Sequence, residues 1–318
     1  ISGFDILFFW DARMAMQGLH FMREVPWKTL YLHGLVRAPD GSKMSKSKGN
    51  VVTPAAMLDE HGSDAVRYWA ASSRLGTDAA FDPQNPKQIK IGRRLAIKIL
   101  NAAKFVYSFP EPATSSASTV AQAVTDPLDV DMLAKLATVV TTATDAFENF
   151  DHARALESTE QFFWTFCDDY LELVKERAYG AGTAEAAASA ATALRTALDV
   201  LLRLFAPTLP FATEEVWSWT HEESVHTAPW PTAADLGVDA APSGLLEAVG
   251  EALIGIRRAK TDAKASQKTD VISATIAGPA LLAQALGDLK AVGRIAMVEF
   301  VEAETIEVRD IVLAEAPE

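Results

Sequence analysis

The chain has 318 residues, of which 49% are hydrophobic and 22% are charged, and its formal net charge is −13 at pH 7. This composition is typical of a globular protein and excludes collagen-like and disordered chains. No uncharged apolar run approaches the ~18 residues of a membrane-spanning helix. The single cysteine, Cys167, cannot form an internal disulfide. A lone cysteine favours a reducing compartment, so we expect a cytoplasmic protein without membrane contact.

The charge is unevenly distributed along the chain. Residues 1–110 contain 15 Lys and Arg against 9 Asp and Glu, a net charge of +6. Residues 111–318 contain 14 against 33, a net charge of −19. The first part therefore predicts contact with an anion, whereas the second is typical of solvated acidic surface.

The first residues alternate between helical and strand-like patterns. Residues 5–17 predict a helix, with Asp5 as its N-cap and Gly18 as the residue that ends it. The apolar residues 30–36, LYLHGLV, predict one buried strand that runs into a loop.

Two further helices are expected after that loop. Thr53 and Pro54 supply an N-cap and a first helical residue, and Ser63 is a second N-cap. The order helix, strand, loop, helix, helix is typical of the end of an α/β unit, with too few strands for a whole sheet.

The middle of the chain is helical in pattern. Residues 86–109 predict a helix, and the polar residues 110–127 predict a linker. Apolar residues at spacings of three and four then predict an antiparallel bundle of three long helices. These helices cover residues 133–147, 156–173 and 194–205. Pro207 ends the last one.

A small α+β module is expected at the C-terminus. It begins with a helix over 244–264, after a short helix over 212–219 that is expected to pack on the bundle. Alternation with a period of two predicts three strands, over residues 271–276, 296–301 and 306–312.

The strongest chemical signal is KMSKSKGN at residues 43–50, which we call the lysine loop. Three lysines within six positions, separated by small hydroxyl residues, can place ammonium and backbone N–H groups around one polyphosphate. Lysine suits this task because its charge sits on a flexible stem. For a lysine-rich segment in general, the alternative is a solvated basic loop.

KMSKS resembles the signature of the class I aminoacyl-tRNA synthetases, and four other segments resemble the same family in the expected order. GFDILFFWDARM at 3–14 is similar to the valyl-tRNA synthetase form of its segment. YLHGLV at 31–36 precedes the lysine loop, and HGSDAVR at 61–67 follows it. Residues 163–172 and 205–217 resemble the anticodon-binding region of the family.

The resemblance implies a mainly α fold in three parts. Residues 1–75 would be the C-terminal remnant of a Rossmann-like α/β catalytic domain that carries the KMSKS loop. Residues 76–238, with the linker at 110–127, would be an α-helical bundle that binds the anticodon. Residues 239–318 would be the small α+β C-terminal module.

The implied activity is ATP-dependent activation of valine to valyl-adenylate, followed by transfer of the valyl group to tRNA(Val). Mg²⁺ is expected with ATP, but the sequence shows no dedicated set of metal ligands. A monomer is expected. Two other interpretations stay open, a sister synthetase of the isoleucyl type and a non-catalytic tRNA-binding module.

Lys43 and Lys46 are the candidate catalytic residues, because catalysis of in-line attack on a phosphate is mainly positioning and stabilisation of charge. By resemblance, Trp10 is a wall of the amino-acid pocket. Asp11 stands beside it, where an apolar residue is expected, and is predicted to be exposed. The candidate ATP-binding residues are Gly3, Asp5, His33, Gly34, Lys43, Met44, Ser45, Lys46 and Ser47. Helix capping by the aspartate and core packing of the histidine and tryptophan are the alternatives.

Two basic patches are candidates for contact with tRNA phosphates, which such patches neutralise irrespective of sequence. The first patch contains Lys87, Lys90, Arg93, Arg94, Lys98 and Lys104, and the second contains Arg257, Arg258, Lys260, Lys264 and Lys268. A solvated charged face is the alternative for each. In the family the editing domain and the HIGH-type ATP motif precede the first matching segment, so we expect this chain to be a fragment that is inactive alone.

Overall fold

The computed structural model describes residues 1–110, 119–239 and 241–314. The protein is helix-rich, with two pairs of short parallel strands near its start and a three-stranded sheet near its end. Within the described ranges, no helix combines the length and the apolar character needed to cross a bilayer.

A continuous helical run follows strand β1 (Ser2–Gly3). It consists of a 3₁₀ turn (Phe4–Ile6), a π turn (Leu7–Asp11), helix α1 (Ala12–Gln17) and a second π turn (Gly18–Met22). The predicted ends are wrong, because Asp5 lies inside the first turn without capping it and Gly18 is helical, with φ of −58°. Glycine is needed there for packing, since an added Cβ would lie 2.9 Å from the Pro26 ring.

The apolar run before the lysine loop forms two short strands, so the prediction of one buried strand is wrong. β2 (Leu32–His33) pairs in parallel with β1, and β3 (Val36–Arg37) pairs in parallel with β4 (Ala79–Ala80). The chain changes partner between them, where Leu35 donates its backbone N–H to the Asp78 carboxylate at 2.7 Å. None of the residues of β2 and β3 is fully buried.

Helices α2 (Ala55–His61) and α3 (Ser63–Ala71) follow the lysine loop as predicted, but their predicted caps are wrong. Pro54, and not Thr53, immediately precedes α2, and no side chain caps that helix. Ser63 is the first residue of α3 and its hydroxyl caps nothing.

The central helices pack around one apolar core, and the three long helices predicted from apolar spacing are confirmed. The helices are α4 (Lys87–Val106), α5 (Val120–Ala123), α6 (Pro127–Glu148), α7 (His152–Thr165), α8 (Leu171–Ala178), α9 (Ala184–Phe205) and α10 (Pro210–Trp217). A π turn (Phe166–Tyr170) joins α7 to α8 without a break. Residues 111–118 of the predicted linker lie outside the described residues.

The C-terminal segment forms the predicted helix and three strands. α11 (Leu245–Asp262) precedes β5 (Val271–Gly278), β6 (Ile295–Glu302) and β7 (Glu307–Leu313), and the sheet order is β6-β5-β7. β5 and β6 are parallel, so their connection must cross over. Helix α12 (Leu286–Gly293) makes that crossover, and the sequence pattern did not predict it.

Buried ion pairs of Arg177 join this C-terminal segment to the bundle. The guanidinium donates to the two oxygens of Asp129 at 2.7 and 2.9 Å and to those of Asp288 at 2.9 and 3.2 Å. Tyr170 and Ser189 also donate to Asp129, which is fully buried. A carboxylate at such a position is tolerated because its oxygens are matched by donors on three helices.

Replacing Arg177 by methionine is expected to lower the free energy of unfolding by about 3–5 kcal/mol, because buried carboxylates lose their cationic partner. The control is Arg74→Gln, which breaks an exposed ion pair with Glu157 and should cost less than about 1 kcal/mol. Urea unfolding followed by circular dichroism measures both changes. Equal losses would show that burial is not the cause.

Candidate functional site

Gly3 and His33 lie opposite each other where β1 pairs with β2. A Cβ added to Gly3 would lie 2.8 Å from Asp5 Oδ1 and 3.6 Å from the His33 ring, so glycine leaves the space between these side chains open. His33 is exposed, which contradicts the alternative of a histidine packed in the core. Three of the candidate ATP-binding residues therefore line one cleft.

Lys43 closes this cleft on the side of the lysine loop. Its Nζ donates to Asp5 Oδ2 at 2.6 Å. The hydrogen bond from Lys43 holds the pKa of Asp5 below its usual value. A backbone bridge between Lys43 and Arg37, at the end of β3, sets the position of the lysine. These contacts place the lysine loop next to the cleft that Gly3 and Asp5 line.

The side chain of Asn50 fixes the shape of the lysine loop. Its Oδ1 accepts the backbone N–H of Ser45 at 2.8 Å, and its Nδ2 donates to Ser42 Oγ at 2.9 Å and to the Lys43 carbonyl at 3.2 Å. Gly49 completes the turn with φ of +67°, a conformation that favours glycine. Sequence reasoning assigned no role to Asn50, because an amide that bonds its own loop leaves no distinctive spacing.

Lys46 is exposed at the start of a 3₁₀ turn (Lys46–Lys48). Within the described part of the chain, its ammonium has no hydrogen bond or ion pair, in contrast to that of Lys43. Met44 packs beneath the loop against a small apolar cluster. The Oγ atoms of Ser45 and Ser47 lie 2.7 Å apart in a hydrogen bond. Of the two candidate catalytic lysines, Lys43 is therefore paired and Lys46 is unpaired.

Gly34 makes a close approach, but to the protein itself. A Cβ at this position would lie 1.9 Å from the Thr77 carbonyl oxygen, in the segment that leads to β4. The family resemblance implies that Gly34 lies at the nucleotide and allows its close approach. In the structure the space is filled by backbone, which explains the glycine without a ligand.

A cavity of about 320 Å³ opens beside Gly3 and is also lined by Trp10 and His33. Trp10 is 61% exposed, which contradicts the alternative that it is a core residue. The cavity therefore joins the candidate wall of the amino-acid pocket to the cleft of Gly3, Asp5 and Lys43.

Asp11 lines the same cavity, and the prediction that it is exposed is wrong, because it is only 4% exposed. The π turn that ends at Asp11 adds a residue to the helical turn, which shifts the side-chain register from that of an ideal α-helix. Asp11 Oδ2 and the buried Ser2 Oγ have no hydrogen-bond partner among the described residues. A water or ligand in this cavity would meet two unsatisfied polar groups.

The basic residues of α4 divide into a paired and an unpaired set. Lys98 binds Asp168 at 2.8 Å, and Lys98 and Arg94 lie over the ring of Trp164, 5.7 and 5.6 Å from its centre. A cavity of about 660 Å³ opens beside these side chains and is bordered by Asn101. In the described ranges no ion pair or side-chain hydrogen bond involves Lys87, Lys90, Arg93 or Lys104.

The two predicted basic patches meet at the π turn between α7 and α8. Arg257 donates to the Asp168 carbonyl at 2.8 Å and to the Asp169 carboxylate at 3.3 Å, next to the site of Lys98. Residues from α4 and α11 therefore converge on one short segment. The acids of that segment neutralise part of the positive charge.

Within the second patch, Lys260 was wrongly placed on the surface. It is 1% exposed and donates to the backbone carbonyls of Gln267 and Gly293. Burial lowers the pKa of Lys260. Arg258 is exposed and lies 3.7 Å from Asp262 on its own helix. The patch is therefore smaller than its sequence suggests.

Two family descriptions match the chain. Residues 1–82, which contain the cleft and the lysine loop, match "tRNA synthetases class I (I, L, M and V)". Residues 129–276, which contain most of the bundle and α11, match "Anticodon-binding domain of tRNA ligase". The chain belongs to the class I tRNA synthetases.

Relatives of this synthetase chain are named Valine--tRNA ligase. That of Leifsonia xyli subsp. xyli is 60% identical over 323 residues, covering 100% of this chain and 37% of the relative. That of Salinispora tropica is 53% identical over 301 residues, covering 88% and 34%. That of Thermobifida fusca is 50% identical over 323 residues, covering 99% and 36%. The chain thus spans about a third of the length of the curated relatives that it matches.

A solved synthetase structure has a similar fold. It is the ternary complex of Agrobacterium radiobacter K84 agnB2 LeuRS with tRNA and LeuAMS, matched with a TM-score of 0.57 and 21% identity. The match covers 75% of this chain and 29% of that one. At this identity the likeness shows the fold.

Replacing Lys43 by methionine is expected to raise the pKa of Asp5, because the hydrogen bond that lowers it disappears. The carboxyl ¹³C shift of Asp5, followed by NMR during a pH titration, measures the change. The matched control is Lys48→Met in the same loop, which should leave the titration of Asp5 as it is. An unchanged midpoint in the Lys43 variant would mean that the contact does not persist in solution.

Proposed function

We propose that the full-length protein containing this chain is a valine–tRNA ligase, which forms valyl-adenylate from valine and ATP and transfers the valyl group to tRNA(Val). The observation that carries the proposal is the 2.6 Å contact of Lys43 with Asp5. This contact places the lysine loop beside the cleft that Gly3, Asp5 and His33 line. The names of the relatives support the choice of valine.

In the first step, a carboxylate oxygen of valine attacks the α-phosphorus of ATP in line. The bond from that phosphorus to the bridging oxygen breaks, and pyrophosphate leaves with the electron pair. In the second step, a terminal ribose hydroxyl of the tRNA attacks the carbonyl carbon of the adenylate. The carbon–oxygen bond to phosphate breaks, AMP leaves, and the hydroxyl proton passes to water.

Lys43 and Lys46 would stabilise the negative charge that develops on the departing pyrophosphate, as fixed cations do in phosphoryl chemistry. Lys43 is bound by Asp5. A triphosphate in the cleft would therefore exchange one anionic partner of Lys43 for another. The freed carboxylate of Asp5 could then accept a hydrogen bond from a ribose hydroxyl, with the exposed ring of His33 beside the base.

Mg²⁺ commonly accompanies ATP and takes oxygen ligands. Among the described residues, no three His, Cys, Asp or Glu side chains are grouped to hold a metal ion. Phosphate oxygens and water are expected to supply its ligands.

Trp10 would form the apolar wall for the valine side chain in the 320 Å³ cavity. A purely apolar pocket rejects threonine, which is nearly isosteric with valine, only weakly; for valyl-tRNA synthetases a discrimination of about 100-fold is known. The role of Trp10 is therefore selection by size and apolarity.

The face of α4 with Trp164 and Arg257 would bind tRNA. Two features support this proposal. The unpaired cations of α4 can bind phosphates, and the ring of Trp164, beside an open cavity, can stack on a base. The boundaries at 75/76 and 238/239 remain our proposal for the division into catalytic, anticodon-binding and C-terminal parts.

Replacing Lys43 or Lys46 by alanine in the full-length protein is expected to slow valine-dependent ATP–pyrophosphate exchange by at least about tenfold each, since ~1.4 kcal/mol of lost transition-state stabilisation is tenfold in rate. Lys48→Ala is the matched control from the same loop and should have a smaller effect. Exchange that survives both substitutions would overturn the proposed roles. Faster exchange with isoleucine than with valine would overturn the choice of substrate.

Replacing Arg94 by glutamine should weaken tRNA binding and reduce the slope of log K against log salt by about one, because one phosphate contact is lost. Filter binding of tRNA to the full-length protein at several salt concentrations measures the slope. Lys290→Gln, on the exposed side of α12 and outside both patches, is the control. Equal slopes for all three proteins would place the tRNA elsewhere.

A further inference from the structure

The turn between α9 and α10 joins the end of one helix to the start of the next. α9 ends at Phe205 and α10 begins at Pro210. The last carbonyl groups of a helix and the first N–H groups of the next have no partner within their own helices. This turn therefore needs both acceptors and donors from outside the two helices.

Asp64, in the first turn of α3, supplies the acceptors. Its Oδ1 accepts the backbone N–H of Phe211 at 3.1 Å, and its Oδ2 accepts that of Ala212 at 2.7 Å. Asp64 is only 8% exposed. Its negative charge lies at the positive end of the α10 dipole. It thus caps a helix that begins almost 150 positions later in the chain.

Arg67, one turn further along α3, supplies the donors. Its Nη2 donates to the Pro207 carbonyl at 2.7 Å, and its Nε donates to the Thr208 carbonyl at 3.3 Å. These carbonyls follow the C-terminal end of α9, where a positive charge is favourable. We call Asp64 and Arg67 together the α3 clamp.

α3 also packs towards the lysine loop. Ala65, which follows Asp64, is fully buried in a cluster with Met57 and Ile89. Met44 of the lysine loop packs against the same cluster. Ile89 belongs to α4, the helix that carries the first basic patch. α3 therefore contacts the bundle, through Asp64, Arg67 and the buried Tyr68, as well as the small cluster that also contacts the lysine loop.

We propose that Asp64 and Arg67 are positioning residues that set the lysine loop relative to the tRNA-binding face of the bundle. The inference rests on the proposed function and concerns its second step. Formation of the adenylate needs the cleft alone, whereas transfer also needs the end of a tRNA to reach that cleft while its body lies on the bundle. Loss of the α3 clamp therefore impairs transfer and leaves adenylate formation nearly intact.

The test uses the full-length protein with Asp64→Asn, Asp64→Ala and Arg67→Gln. Valine-dependent ATP–pyrophosphate exchange measures the first step, and aminoacylation of tRNA measures both. We expect kcat/KM for tRNA to fall about 10- to 100-fold, which is within the range of coupling between distinct sites. The rate of exchange should change less than about threefold. That change corresponds to under half of the ~1.4 kcal/mol that a tenfold change in rate represents. Arg67→Lys, which keeps a cationic donor, should recover part of the loss.

Asp59→Asn, an exposed acid on α2 without a side-chain partner among the described residues, is the matched control and should change neither rate. A parallel loss of exchange and aminoacylation in the Asp64 and Arg67 variants would show a merely structural role and overturn the proposal. Unchanged aminoacylation would overturn it as well. Absence of valine-dependent exchange in the unsubstituted protein would instead overturn the proposed function, so the two failures are distinguishable.

Discussion

Backbone groups at helix ends must find partners, and in this protein that requirement joins the two halves of the chain. The turn between α9 and α10 is satisfied by Asp64 and Arg67, which belong to the helix after the lysine loop. A buried cap with a charged acceptor is strongly directional, because a small shift breaks two short bonds at once. These contacts join the helix after the lysine loop to the bundle.

The buried charge of Arg177 joins the C-terminal segment to the bundle in a comparable way. Arg177 is bound by carboxylates from α6 and α12, so the C-terminal sheet is joined to the bundle at a defined point. Both junctions use ions in places where apolar contact would be less specific. The cost of removing these charges from water is offset because donors and acceptors are matched in number and direction.

The net charge of −13 is compatible with the proposed binding of tRNA, because the charge is unevenly distributed. The protein carries −13 overall, yet the cations of α4 have few acidic neighbours, and Arg257 reaches the same surface from α11. Local potential, and not total charge, would govern the encounter with the proposed tRNA partner. The acids of the π turn reduce this potential, since Asp168 binds Lys98 and Asp169 binds Arg257.

Much of the fold was predictable because helices and strands repeat with fixed periods. The long bundle helices and the strands β5, β6 and β7 follow from apolar spacing alone, and the lysine loop follows from its composition. Asp5 and Ser63 have the right residue type for a cap, but whether a side chain caps its own helix depends on competing partners, and Asp5 meets Lys43 instead. Lys260 resembles a surface lysine until α11 packs on the sheet and buries it.

The sequence by itself determined the long helical segments, where the cations lie along the chain and which family the chain resembles, because these properties are local. Only the tertiary structure decided which of those groups meet. Asp11 is buried at the end of a π turn, the backbone of Thr77 occupies the space beside Gly34, and Lys43 contacts Asp5. Contacts between distant residues depend on how helices dock, and docking is set by packing and by buried charge pairs that no local pattern encodes.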